Sequence, residues 1–417
     1  MTERGQPDHE PVGGDGAGTL GSAGSTRYAN FLELFFDLVL VFALLGVVSR
    51  VQPDLSSASV THRWTALLYV PVLALPMLWL WTTTAHITSH FDPRRPLIQV
   101  MVLVSALGLV MMASTLPYAF VGRGIAFALT YVLLQVGRPV LLITLLRNAR
   151  LRALYLRSAI WFSVSGVPWL AGVTVTGHAR VALWGLAIAI ELVAARFSWP
   201  VPGLGRQLVS AWALGKPHHL ADRYQQLLLI ALGETVLSLG TTYAAVPVTL
   251  ATTLALLVGF LTSVLLWRIY FYRSGQVLPE AVSTAGDRAS AGRSVGRVHL
   301  LMVLGAVFVA IGYELVLKHS TEPVRPSWLV VILGGPVVFL VGRIGLERVV
   351  FDRLAVRRLV VIAALLLLGP PLSFGTPLIA LAAAAVVLLG MALADARQAR
   401  GRPLEAPAPS RLPPGRT

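Results

Sequence analysis

The chain has 417 residues, of which 56% are hydrophobic and only 13% charged, and its mean hydropathy is +0.73. Soluble domains carry roughly a quarter charged residues, so this composition excludes an ordinary soluble enzyme and points to an integral membrane protein. The absence of cysteine excludes disulfides, thiolate catalysis and iron–sulfur clusters, and the net charge of +15 is spread over the ends of apolar runs, which excludes a nucleic-acid footprint.

In chain order, residues 1–27 are Gly-rich, acidic and free of apolar runs, and are expected to be a disordered cytoplasmic tail. Residues 28–396 are expected to form an all-α polytopic domain of about twelve transmembrane helices. Apolar windows of spanning length lie near 31–51, 64–84, 97–118, 124–146, 154–175, 179–199, 223–243, 248–272, 297–317, 326–344, 357–373 and 376–394. The eleventh window is short and broken by Pro370 and Pro371, so a re-entrant hairpin is an alternative to a full crossing there. Residues 397–417 read as a disordered Pro/Arg-rich tail. A loose match between ELFFDLVLVFALLG and DRYQQLLLIALGETVLSLG is the one trace of a 6+6 repeat.

With this topology 27 basic residues fall on one side and 6 on the other, Arg138 being left inside a span. Positive charge is retained on the cytoplasmic side, so both termini are expected in the cytoplasm of a bacterial plasma membrane.

The ionisable residues inside spans carry the functional information, because such residues are costly and usually face the bundle interior. In FLELFFDLVLVFALLGVV, Glu33 and Asp37 are four residues apart and share a helix face. Arg138, with Gln135 one turn before it, lies at a similar depth in the fourth span and is the expected partner of both acids. In HHLADRYQQLLLIALGETVLSLGTT, helical spacing lines up His219, Arg223, Gln226, Glu234 and Thr241 as a polar stripe, with Gly233 beside Glu234 leaving room for another backbone. The ninth span carries His299 near one end and Glu314 near the other. Glu191 is expected to pair with Arg196 in its own helix. His86 and His90, at i and i+4 with Asp92 nearby, have the spacing of a metal pair but read as ordinary interfacial histidines, and no metal or cofactor is expected. No nucleophile elbow, Walker A loop or Gly-rich nucleotide loop is present.

Four stretches, ELFFDLVLVFALLG, HFDPRRP, HHLADRYQQLLLIALGETVLSLG and VHLLMVLGAVFVAIGYE, resemble the bacterial low temperature requirement A family over about residues 28–395. The family pattern falls on Glu33, Asp37, His219, Arg223, Glu234, His299 and Glu314. The chain departs from it at Asp222, where the pattern has Glu, and at Tyr272, where it tends to have Asp. The resemblance implies a multi-spanning inner-membrane protein linked by name to growth in the cold, and implies no reaction. Together these readings favour a transporter or channel-like protein whose polar pathway runs from Glu33, Asp37 and Arg138 past Glu234. A membrane-embedded lipid enzyme and a structural or regulatory membrane protein are the alternatives. The partners expected are the lipid bilayer and a small ion or solute, not nucleic acid.

Overall fold

The computed structural model describes residues 23–204, 217–400 and 405–408. Most of the expected tail segments, 1–22 and 409–417 among them, lie outside the described residues. Fourteen α-helices occur among those residues: α1 (Ala23–Ser56), α2 (Val60–His90), α3 (Pro96–Thr115), α4 (Gly124–Leu145), α5 (Ala149–Ala171), α6 (Gly177–Arg196), α7 (Pro217–Ala244), α8 (Leu250–Tyr270), α9 (Leu278–Thr284), α10 (Arg288–Lys318), α11 (Pro326–Phe351), α12 (Val356–Leu367), α13 (Gly369–Leu372) and α14 (Pro377–Ala399). No strand is present among them, and the chain is an all-α, multi-span membrane protein.

Ten of the helices are long and apolar enough to cross a bilayer, against about twelve expected. The two shortfalls have local causes. Helix α5 carries Arg150, Arg152 and Arg157 in its first half, and α12 stops after 12 residues where Gly369, Pro370 and Pro371 interrupt it. The segment nevertheless does not double back as a re-entrant hairpin. Arg358 at its start pairs with Glu347 near the end of α11, and after α13 the Gly375 carbonyl accepts from Val324 N–H, 3.0 Å away, just before α11 begins. It therefore runs antiparallel to α11 along the length of that helix.

Helix ends follow elementary capping chemistry. Asn148 and Asp287 accept from backbone N–H groups of the first turns of α5 and α10, and Thr249 with Thr252 forms a capping box at α8. Pro96, Pro326 and Pro377 occupy first turns, where a missing N–H costs nothing.

Helix α10 is the centre of the bundle, with 83% of its most apolar window buried. Its seam with α11 is backbone against backbone. A Cβ on Gly305 would lie 2.5 Å from Phe339 N, one on Gly335 2.8 Å from Val309 N, and one on Gly342 2.8 Å from Val298 O. Small residues permit this approach, and in lipid close van der Waals packing replaces the hydrophobic drive for helix association. Helix α1 shows how the chain separates its faces: Phe31, Phe35, Leu38 and Phe42 are exposed, while Glu33, Phe36, Asp37, Leu40 and Leu44 are buried. The two carboxylates thus point into the protein.

Candidate functional site

Among the described residues several separate polar centres lie inside the bundle, four of which carry the ionic clusters described below, so the nine expected site residues do not share one interior. The first joins α1, α2 and α7. Arg223 Nη1 and Nη2 donate to Asp37 Oδ2 and Oδ1 at 2.6 and 2.7 Å, a bidentate pair in which both partners are almost fully buried. Trp81 Nε1–H donates to Asp37 Oδ1 at 2.7 Å, and the Arg223 guanidinium sits 5.4 Å from the centre of the same indole. One tryptophan therefore contacts both charges, as donor to the acid and as π-face to the base. Glu33 lies 3.8 Å from Arg223 Nε and 3.1 Å from His219 Nε2, while Gln226 accepts from Arg223 Nη1 at 3.0 Å.

This arrangement corrects the expected partner. Arg138 does not reach Glu33 or Asp37. Arg138 and Arg223 lie at similar depths, but α7, not α4, packs along the acidic face of α1. Arg138 is instead buried among neutral acceptors: Leu134 O at 2.9 Å, Thr84 Oγ1 at 2.6 Å, Thr83 Oγ1 at 2.7 Å, Ser105 Oγ at 3.3 Å and the Gln135 side-chain carbonyl. Gln135 Nε2 donates to Tyr131 OH at 3.2 Å, and Tyr131 OH donates to Glu191 Oε2 at 2.5 Å. The chain Arg138–Gln135–Tyr131–Glu191 is the second centre. Glu191 also accepts from Ser165 at 2.7 Å and Trp169 at 3.4 Å. The expected Glu191–Arg196 pair does not form, because residues five apart point about 140° away from each other on a helix.

The third centre lies deeper. Glu234 is completely buried, and neither carboxylate oxygen has a hydrogen-bond partner among the described residues. Its charged neighbour is Glu314, which accepts from Lys318 Nζ at 3.2 Å and from Ser238 Oγ at 3.4 Å. Lys318 also donates to Gln52 Oε1 at 2.9 Å, so this centre spans α1, α7 and α10. Two further expectations are corrected here. Thr241 is exposed and bonds back to Leu237 O at 2.9 Å, because it sits at the margin of the buried arc of α7. Gly233 faces open space, so no neighbouring backbone uses it. His299 belongs to neither acidic centre. It is fully buried, with Nε2 2.8 Å from Tyr270 OH and Nδ1 2.8 Å from Val295 O, and fifteen residues separate it from Glu314, about 22 Å along the helix.

The fourth centre was not anticipated. Glu347 on α11 meets Arg343, Arg353 and Arg358, and Arg358 also approaches Asp395 on α14 at 3.7 Å. Arg343 is completely buried, donating to Ile269 O at 2.9 Å and Tyr272 O at 2.7 Å. These arginines read as topogenic charge in the sequence. The i,i+4 spacing of Arg343 and Glu347 was the one local sign that they are partly structural.

Among the described residues no group of three or more His, Asp and Glu side chains is placed to hold a metal ion. In the HFDPRRP loop, outside the spans, hydrogen bonds from Arg94 hold the Asp92 carboxyl below its ordinary value.

The pattern of the bacterial low temperature requirement A protein matches residues 28–393. A protein of Rhizobium meliloti (strain 1021), itself described as uncharacterized, is 30% identical over 324 residues, covering 77% of each chain. No solved structure matches. The matched region takes in all the ionic residues of the first three centres, and on that coverage the chain belongs to the bacterial low temperature requirement A family.

Proposed function

We propose that this protein is a plasma-membrane transporter, both termini cytoplasmic, in which Glu234 takes up and releases a proton or small cation during the transport cycle. The observation that carries the reading is the fully buried Glu234 carboxylate with two unpartnered oxygens. An ionised carboxylate cannot be left in that setting without a counter-charge, so the site favours either the protonated acid or a bound cation. Glu314, held by Lys318 and Ser238, is the neighbouring carboxylate and ties the site to α10. Structural charge pairs, by contrast, satisfy one another, as Asp37 and Arg223 do.

The test is proton flux into liposomes containing the purified full-length chain, followed with an internal pH-sensitive dye under an imposed pH gradient. Glu234→Gln keeps the shape and removes the ionisable group, and is expected to lower flux at least about tenfold with unchanged thermal stability. Wild-type flux in that variant, under proton, sodium and potassium gradients alike, would remove Glu234 from the mechanism.

A further inference from the structure

A cavity of about 460 Å³ opens between α2, α4, α5, α6, α7 and α10, within the size range of small-molecule sites. It stands apart from Glu234 and from the Asp37–Arg223 pair. Four arginines line it, Arg138, Arg196, Arg293 and Arg297, with His86 and His90, and no carboxylate does among the described residues. Arg138 is buried at its inner part, whereas Arg196 and Arg297 are exposed and mark its mouth. Arg297 experiences the like charges of Arg196 and Arg293. Most of the remaining wall is apolar: Leu75, Leu154, Phe162, Leu192, Trp199 and Leu300.

Interfacial arginines that only set topology need no concave, carboxylate-free arrangement, and two further features set this wall apart. The buried indole N–H of Trp79, on the same cavity, has no acceptor among the described residues. Buried donors are rarely left unpaired, so an acceptor belongs there. Ser198 and Trp199, also on the wall, hold left-handed backbone angles with φ of 59° and 54°, which are unfavourable for non-glycine residues. The strain is held by Trp199 N–H donating to Ala194 O at 2.7 Å, with Trp199 packed edge-on to Phe162 at 5.2 Å. It turns the Trp199 ring into the apolar wall.

We propose that this cavity is a binding site for an anionic amphiphile, a phosphate or carboxylate head group carrying an apolar tail. The head group would accept from the guanidinium cluster and the Trp79 N–H, for which Arg has the planar donor geometry. The tail would lie along Leu154, Phe162, Trp199 and Leu300. Glu234 plays no part, so the site stands whatever the outcome of the flux experiment.

The probe is radiolabelled dodecyl phosphate, bound to the full-length chain in neutral maltoside detergent. Arg293→Gln combined with Arg297→Gln changes only partly or fully exposed positions and is expected to weaken binding at least about tenfold, with unchanged melting temperature. Trp79→Phe, which removes the N–H and keeps an aromatic ring, is expected to weaken it about fivefold. Unlabelled dodecyl phosphate and laurate should displace the probe. Displacement by dodecanol at equal concentration would overturn the anionic requirement, and displacement by inorganic phosphate at equal concentration would overturn the apolar one. Unchanged affinity in the double arginine variant would remove the site.

Discussion

Arg223 and Arg138 are both buried guanidiniums at similar depth, yet they have opposite surroundings. Arg223 is neutralised at contact by Asp37, steadied by Trp81 and flanked by Glu33. Arg138 meets only neutral oxygens, and its route to a carboxylate is the relay through Gln135 and Tyr131 to Glu191. The first fastens α1 to α7, its single guanidinium facing two carboxylates. The second keeps its positive field available to a cavity. An arginine within a span is thus either a bolt or a lure, and the partners decide which.

The largest expected effect breaks the first of these. Asp37→Asn leaves Arg223 buried without its bidentate partner and should cost about 3–5 kcal/mol, read as a lowered melting temperature of the detergent-solubilised protein. Adding Arg223→Gln should recover most of that loss; a double variant as unstable as the single would show that the pair is not a closed unit. A smaller effect is expected at Arg138→Met, about 1 kcal/mol or less. The Thr84 and Ser105 hydroxyls already donate to their own helix carbonyls, Leu80 O at 2.8 Å and Met101 O at 2.7 Å, so losing the arginine strands neither. Destabilisation equal to that of Asp37→Asn would erase the distinction between the two sites. The smallest effect belongs to His219→Ala, whose side chain is 26% exposed at the edge of the first centre. Partly solvated pairs of this kind contribute about 0–1 kcal/mol, so the melting temperature should move little.

Much of this was legible in the sequence. Composition gave the membrane class, and the spacing of Glu33 and Asp37 placed them on the inward face of α1. Spacing also placed Arg223 and Glu234 on the buried arc of α7. The partners were not legible, because residue number fixes how deep a side chain lies and not which helix stands beside it. By residue number Arg138 fell inside a span and Arg223 at the cytoplasmic edge of the seventh window, and only the contact of α7 with α1 identifies Arg223 as the partner. Glu191 could have been read better, since a five-residue spacing to Arg196 never suited a helical pair. Trp81 and Trp79 gave no local signal, because an indole in an apolar helix reads as packing until its N–H is located.

The glycine seam between α10 and α11 has a mechanical meaning. Side chains can change rotamer and let helices slide, but two backbones in direct contact have no such slack, and displacement drives peptide groups into one another. These two helices therefore travel as one strut. Any opening and closing of the protein has to be accommodated where the contacts are made by side chains, along α2, α7 and their neighbours. Glu314 and Arg297 ride on that strut, whereas Glu234 and Trp79 stand on the surrounding helices, so a rocking movement would alter the acidic centre and the basic cavity in the same stroke.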